Sequence, residues 1–180
     1  VDVHGTRPTM VYSQTVDGQL HAFVLAKNNF TPSSVPYNTG VPSADSLSNN
    51  ELWSFIPPAV IPALPTHFNS AGRLLDGQLA WGNVVYERPL GFTGTDNPDD
   101  ATDWAYNTVV VGCSGVSNLD NGFCYALDVT DPTAPRFLWQ LSTTGPVPGN
   151  LGAPLFGKTV PGAAITHIRY AESPTSSRVV

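Results

Sequence analysis

The order of apolar and polar positions along this chain predicts many short strands and almost no helix. Thr9-Met10-Val11-Tyr12-Ser13 and Leu20-His21-Ala22-Phe23-Val24 are separated by Val16-Asp17-Gly18-Gln19. Asp-Gly favours the positive φ of a tight turn, so the two runs are expected to form a hairpin. Glu51-Leu52-Trp53-Ser54-Phe55-Ile56 alternates polar and apolar and reads as a strand. Pro57-Pro58 ends it, because proline has no N–H to give a ladder. A short helical turn is expected over 59–64. A second Asp-Gly turn is expected within Leu74-Leu75-Asp76-Gly77-Gln78-Leu79, followed by a strand at 82–87. The β-branched run Thr108-Val109-Val110-Val111-Gly112 predicts a buried strand. Residues 122–129 are its expected antiparallel partner, 137–141 close the unit, and 164–169 are a further strand candidate. Two polar stretches, 27–50 and 90–106, are expected to be surface loop insertions. Val1-Asp2-Val3 and Arg178-Val179-Val180 both read like strand interior, so the chain is expected to be part of something longer.

An internal repeat sets the architecture. Leu20-His21-Ala22-Phe23 and Cys124-Tyr125-Ala126-Leu127 both follow a Gly-containing turn. Each is followed by an outlying strand with Leu-Trp in it, Glu51-Leu52-Trp53-Ser54-Phe55 and Phe137-Leu138-Trp139-Gln140-Leu141. The alanines lie 104 apart (126 minus 22) and the tryptophans 86 apart (139 minus 53), so the first copy holds the longer loop. Each copy is strand, turn, strand, outer strand, which is the minimal blade of a radial β array. The expected fold is all-β: a partial β-propeller of about two to three blades with long loop insertions, residues 1–180 forming part of one larger domain. Ala22, Ala126 and Asp128 are expected at blade-packing positions, with Trp53 and Trp139 over the seams. A sandwich with two accidental similarities is the competing reading.

Composition agrees. The chain has 180 residues, 41% of them hydrophobic, 16 Gly and 17 Pro, and only 12% charged. That suits short strands joined by turns. The net charge is −6, and the eight Lys and Arg form no run or stripe, which argues against a nucleic-acid partner. No stretch approaches the roughly 18 apolar residues of a membrane-spanning helix.

The second copy, Tyr125-Ala126-Leu127-Asp128-Val129-Thr130-Asp131-Pro132 leading to Leu138-Trp139, resembles the Ala-x-Asp to Trp signature of quinoprotein-type propellers. In its Asp-Val-Thr-Asp-Pro form it is similar to the PilY family of type IV pilus proteins. Two further segments are similar to that family. Thr15-Val16-Asp17-Gly18-Gln19-Leu20-His21-Ala22-Phe23 resembles its Asn-Asp-Gly-x-Leu-His-Ala-Phe segment, with Thr15-Val16 where Asn is usual. Glu51-Leu52-Trp53-Ser54-Phe55-Ile56-Pro57-Pro58 resembles its Glu-Leu-Trp-x-Phe-x-Pro-Pro segment. The likeness covers roughly residues 7–157 apart from the loops. It implies the C-terminal propeller of an extracytoplasmic adhesin and assembly factor at the pilus tip, working with minor pilins and contacting host or abiotic surfaces. The family's acidic Asp-x-Asp-x-Asn calcium loop has no good match in this segment. No cofactor is expected here, and calcium binding would belong elsewhere in a full-length protein.

The candidate chemistry is sparse. If the strands flanking Cys113 and Cys124 pair, the two cysteines meet at the hairpin base. A disulfide there would be worth about 2–3 kcal/mol by loop entropy; two buried thiols are the alternative. Asp96, Asp99, Asp100 and Asp103 could offer oxygen to a hard cation. Their spacing lacks the alternation and the glycine of tight calcium loops, so a solvated loop with an Asx turn at Asp96-Asn97-Pro98 is the plainer reading. His21 is expected to be a satisfied core histidine rather than a ligand, and His4, His67 and His167 are scattered. Trp81 and Trp104 are expected in or beside loops, where an exposed one would mark a contact surface. Asn29-Phe30-Thr31 matches a glycosylation acceptor, relevant only in a eukaryotic secretory setting. No nucleophile elbow or phosphate-cradling glycine loop is present, so no catalytic residue is assigned and no enzyme is expected. The alternative of the same architecture is a quinone-dependent dehydrogenase; such enzymes carry vicinal cysteines, which this chain lacks. A propeller that assembles outer-membrane proteins is a third reading.

Overall fold

The computed structural model describes residues 9–26, 51–67, 72–84, 107–119, 121–142, 156–166, 169–173 and 176–179. The loop insertions 27–50 and 90–106, with Asp96, Asp99, Asp100, Asp103, Trp104 and Asn29, lie outside these residues, as do His4 and His167.

The chain is mostly β, built of antiparallel sheets, none closed into a barrel. Sheet one is a meander of β1 (Thr9–Gln14), β2 (Leu20–Ala26) and β3 (Glu51–Phe55). Sheet two holds β4 (Leu79–Val84), β5 (Asn107–Cys113), β7 (Cys124–Asp128) and β8 (Arg136–Leu141) in that order. The two-residue β6 (Gly115–Val116) leaves β5 to pair with β9 (Thr159–Val160). β10 (Arg169–Ser173) and β11 (Ser176–Val179) form a separate antiparallel pair.

The β1–β2 hairpin forms as its Asp-Gly turn dictates, with Gly18 at φ 98°. Thr15 N–H donates to Gln19 O at 2.9 Å and Gly18 N–H to Thr15 O at 3.0 Å. Thr15 Oγ1 also donates to the Asp17 carboxylate, as does Gln19 Nε2. Partial burial pulls the Asp17 carboxyl upward, but hydrogen bonds from the Thr15 and Gln19 side chains and the Gln19 backbone, with His21 nearby, hold it below the ordinary carboxylate range. A lowered folded pKa gives stability that is present above the unfolded value and lost as pH falls through the folded one. Asp17→Asn is therefore expected to cost stability near neutral pH and to flatten the acid limb, as read by urea melts across the acid range.

The second Asp-Gly does something else. Residues 75–78 form no turn, so none is made at Asp76-Gly77. Among the described residues only Gly18 and Gly115 are glycines with positive φ. Gly77 serves close approach instead: a Cβ there would sit 2.2 Å from the Cys113 carbonyl oxygen. Two strand boundaries also move. The strand expected at 82–87 begins earlier, at Leu79, and 85–87 lie outside the described residues. Residues 164–166 are not in a strand, and β10 starts at Arg169. The expected helical turn forms as a 3-10 turn, Ile61–Ala63, running into α1 (Leu64–His67).

The repeat is written into the pairing. Ala22 lies opposite Trp53, and the register then slips so that Phe23 faces Glu51. Ala126 lies opposite Trp139, and the register slips at the same place so that Leu127 faces Phe137. Both outer strands thus carry a one-residue bulge, at Leu52 and Leu138, beside their tryptophan.

Strand alternation sorts sheet two into two sides. Val110, Phe123, Tyr125 and Leu127 join Leu20, Val60, Leu74 and Leu75 in the main core, with Tyr12, Trp53 and Phe55 of sheet one packed against it. Val109, Val111 and Ala126 point the other way, into a second cluster with Val84, Leu138 and Ile165. The side of sheet one that bears Ala22 and Trp53 therefore packs on the Tyr125 side of sheet two. Phe55 sits 5.6 Å from the Tyr125 ring and 5.9 Å from Phe137. Burying side chains such as Leu20, Leu127 and Val110 contributes about 1.5–3 kcal/mol each.

Candidate functional site

The chemically richest place among the described residues is the junction between the two sheets. Trp53 Nε1–H donates across it to the Pro132 carbonyl at 2.7 Å. That carbonyl is aimed by two successive Asp-x-Thr turns. Asp128 Oδ1 accepts from Thr130 N–H at 2.8 Å and Thr130 Oγ1 at 2.6 Å. Asp131 Oδ1 accepts from Thr133 N–H at 2.9 Å and Thr133 Oγ1 at 2.6 Å. Short polar side chains bonding the backbone two residues on is what makes such turns rigid. Asp128 also lies 3.6 Å from the Arg136 guanidinium. Its part in packing is thus indirect: it shapes the β7–β8 turn that receives Trp53. Trp53→Phe keeps a ring but removes the donor, and is expected to cost about 1 kcal/mol or somewhat more, read from the denaturation midpoint.

A second polar hub ties three segments together. Gln14 Nε2 donates to Gly77 O at 2.7 Å and to Cys113 O at 3.2 Å. Tyr125 Oη donates to Gln14 Oε1 at 2.7 Å. Burial pushes the Tyr125 phenol well above its ordinary value, so it stays a neutral donor. On β8, directly opposite Tyr125 in the register, Gln140 Oε1 accepts the Ala59 N–H at 2.9 Å. These bonds satisfy buried polar groups.

Cys113 and Cys124 are joined as a disulfide, directly opposite each other on β5 and β7 with Cα atoms 4.0 Å apart. The bond is buried beside Val160 and Phe156. It closes the segment that carries β6.

His21 is satisfied, but not in the core. It lies on the outward side of sheet one, 18% exposed, with Nδ1 2.6 Å from Glu51 Oε1 and Nε2 3.2 Å from Thr15 Oγ1. Its ring stacks on Phe23 at 5.9 Å. His67 ends α1. Trp81 is 73% exposed, but on the edge strand β4 rather than in a loop. Ala22 and Ala126 are fully buried, Trp53 is half-buried, and Trp139 is 39% exposed. No group of three or more His, Cys, Asp or Glu that could hold a metal is found among the described residues. No helix among them is long and apolar enough to cross a membrane.

The Pro132 acceptor and the Gln14 hub were not foreseen from sequence. The paired Asp-x-Thr units, Asp128-Val129-Thr130 and Asp131-Pro132-Thr133, were the readable signal for the first; nothing local marks the second.

No family model, curated protein or solved structure matches this chain.

Proposed function

We propose that this chain is a non-catalytic binding and scaffold module of the type IV pilus machine, PilY-like, whose sheets stack as blades of a β-propeller. In this reading it acts outside the cytoplasm in pilus assembly and tip adhesion, together with minor pilins. One observation carries the reading. The Ala-to-Trp units that resemble the family recur with the same cross-strand partner and the same bulge, Ala22 with Trp53 and Ala126 with Trp139. Unlike sides then meet at the junction, as radial repetition requires. The disulfide is compatible with an oxidising compartment. The Asp128, Thr130, Asp131, Thr133, Gln14 and Gln140 side chains are spent on turns and packing, which suits a rigid platform whose contacts come from loops and a few aromatic anchors.

The test is cross-linking in piliated cells, followed by mass spectrometry of the partners and of the purified protein itself. Minor pilins among the cross-linked species, and surface piliation lost with the protein, are the expected result. Barrel-assembly proteins in their place would overturn it, as would a quinone with its characteristic absorbance bound to the purified chain.

A further inference from the structure

The disulfide closes residues 113–124 into a loop, and two other segments grip that loop. The first is 73–76. Asp76 N–H donates to Ser114 O at 3.0 Å, Asn118 N–H to Arg73 O at 2.7 Å, and Arg73 N–H to Asn118 Oδ1 at 2.6 Å. The second is 157–160. Gly122 N–H donates to Gly157 O at 2.9 Å, and β6 pairs with β9 through Gly115 opposite Val160. The gripping segments also meet, where Gln78 N–H donates to Pro161 O at 2.7 Å.

The sulfurs are sealed in. Cys113 is 0% and Cys124 5% exposed, in a cluster completed by the buried Val160 and the half-buried Phe156. Between these two apolar anchors, Gly157, Lys158 and Thr159 are exposed. The segment is therefore a strap, held at each end by an apolar side chain set against the disulfide. It lies close on the loop: a Cβ on Gly122 would meet Val160 Cγ2 at 2.3 Å and Gly157 O at 2.5 Å. Thiol–disulfide exchange needs a thiolate in contact with the sulfur it attacks, and a covered sulfur is out of its reach.

We infer that residues 156–161 are a redox gate: the Cys113–Cys124 bond is made and broken only with this strap lifted, and breaking it loosens the strap in turn. The chemistry is exchange with a dithiol. Its first thiolate attacks one cysteine sulfur, the Cys113–Cys124 bond breaks, and the other sulfur leaves as a thiolate and takes up a proton. The second thiolate of the dithiol then frees the first cysteine and closes the reagent's own disulfide, so two electrons pass to the protein. Oxidation runs the same steps in reverse, so a disulfide-bearing exchange partner must act before the strap docks. The loop contains Ser114, Gly115, Ser117, Asn118, Asn121 and Gly122. Freeing its ends restores much conformational entropy, and the strap loses its fixed seat. By linkage, the docked strap holds the bond oxidised. The inference draws on neither the pilus assignment nor the stacking of the sheets.

Reduction of the full chain by dithiothreitol, with the freed thiols trapped by iodoacetamide and counted by mass, tests the gate. The folded chain is expected to be reduced about 100-fold or more slowly than the chain unfolded in urea. Val160→Ala thins the cover and should speed reduction of the folded chain several-fold. Val116→Ala, at an exposed position of β6 opposite Thr159, should leave it unchanged. Equal rates for the folded and unfolded chain, or equal rates for the two variants, overturn the inference. Hydrogen exchange reads the coupling in a chain carrying both Cys113→Ala and Cys124→Ala. The amides of Gln78, Gly122 and 157–160 are expected to exchange about tenfold or more faster than in the oxidised protein, with 20–24 and 108–111 unchanged. An unchanged strap overturns the coupling. Faster exchange at 108–111 as well, in this chain or in Val160→Ala, makes the bond a support of the whole fold and overturns the gate too.

Discussion

Tyr125→Ala is expected to destabilise the fold by about 3–5 kcal/mol, the range for removing a buried aromatic ring. The ring is fully buried in the main core, 6.3 Å from Phe123 and 5.6 Å from Phe55. Its loss opens a cavity at the point where sheet one meets sheet two. It also leaves the Gln14 oxygen without the Tyr125 hydroxyl, and so loosens the amide that donates to Gly77 and Cys113. Tyr125→Phe separates the two effects. It keeps the ring and should cost only about 1 kcal/mol. Chemical denaturation of both variants checks this; equal losses would mean that the hydroxyl, not the ring, dominates.

Gly115→Ala is expected to cost about 2–4 kcal/mol, although only a methyl is added. Gly115 has φ 67°, a region alanine enters with strain. Its new Cβ would lie 2.2 Å from both Asp76 C and Gly77 N, which are backbone atoms and cannot turn aside as a side chain would. Asp76 N–H donates to Ser114 O at 3.0 Å, so the two segments cannot separate without losing a ladder-like bond. Thermal unfolding should show the loss. Gly157→Ala, where a Cβ meets nothing within 4 Å, is the matched control and should be near neutral.

The strands and the repeat were legible because they are local. Period-two alternation, one Asp-Gly turn and the Ala and Trp landmarks each sit within a few residues of what they specify. The disulfide was legible for the same reason once β5 and β7 were paired. The second Asp-Gly was misread because glycine answers two needs, a positive φ and a close backbone approach, and only the tertiary contact with Cys113 tells which applies. β6 and β9 are two residues each and pair Gly115 with Val160, so no local period announces them. The Trp53 acceptor lies 79 residues along the chain, and His21 is held by Glu51, which is 30 away. Partners at that distance follow from how sheets stack, which no short window of sequence contains. The bulges at Leu52 and Leu138 were hidden for a related reason: an extra residue in a strand shows only against its neighbour.

Because one sheet meets the next with an indole-bearing surface against a phenol-bearing one, the contact has a polarity. A self-matching contact would end the assembly at two members. A contact between dissimilar surfaces has no such stop and keeps recruiting members until rotation brings the last round to the first. In the proposed propeller the member count would follow from the angle turned at each junction, set by side-chain bulk around residues such as Tyr125 and Phe55. In the propeller proposed above, a substitution that thickens or thins one junction would strain the closure of the array while leaving every individual strand intact.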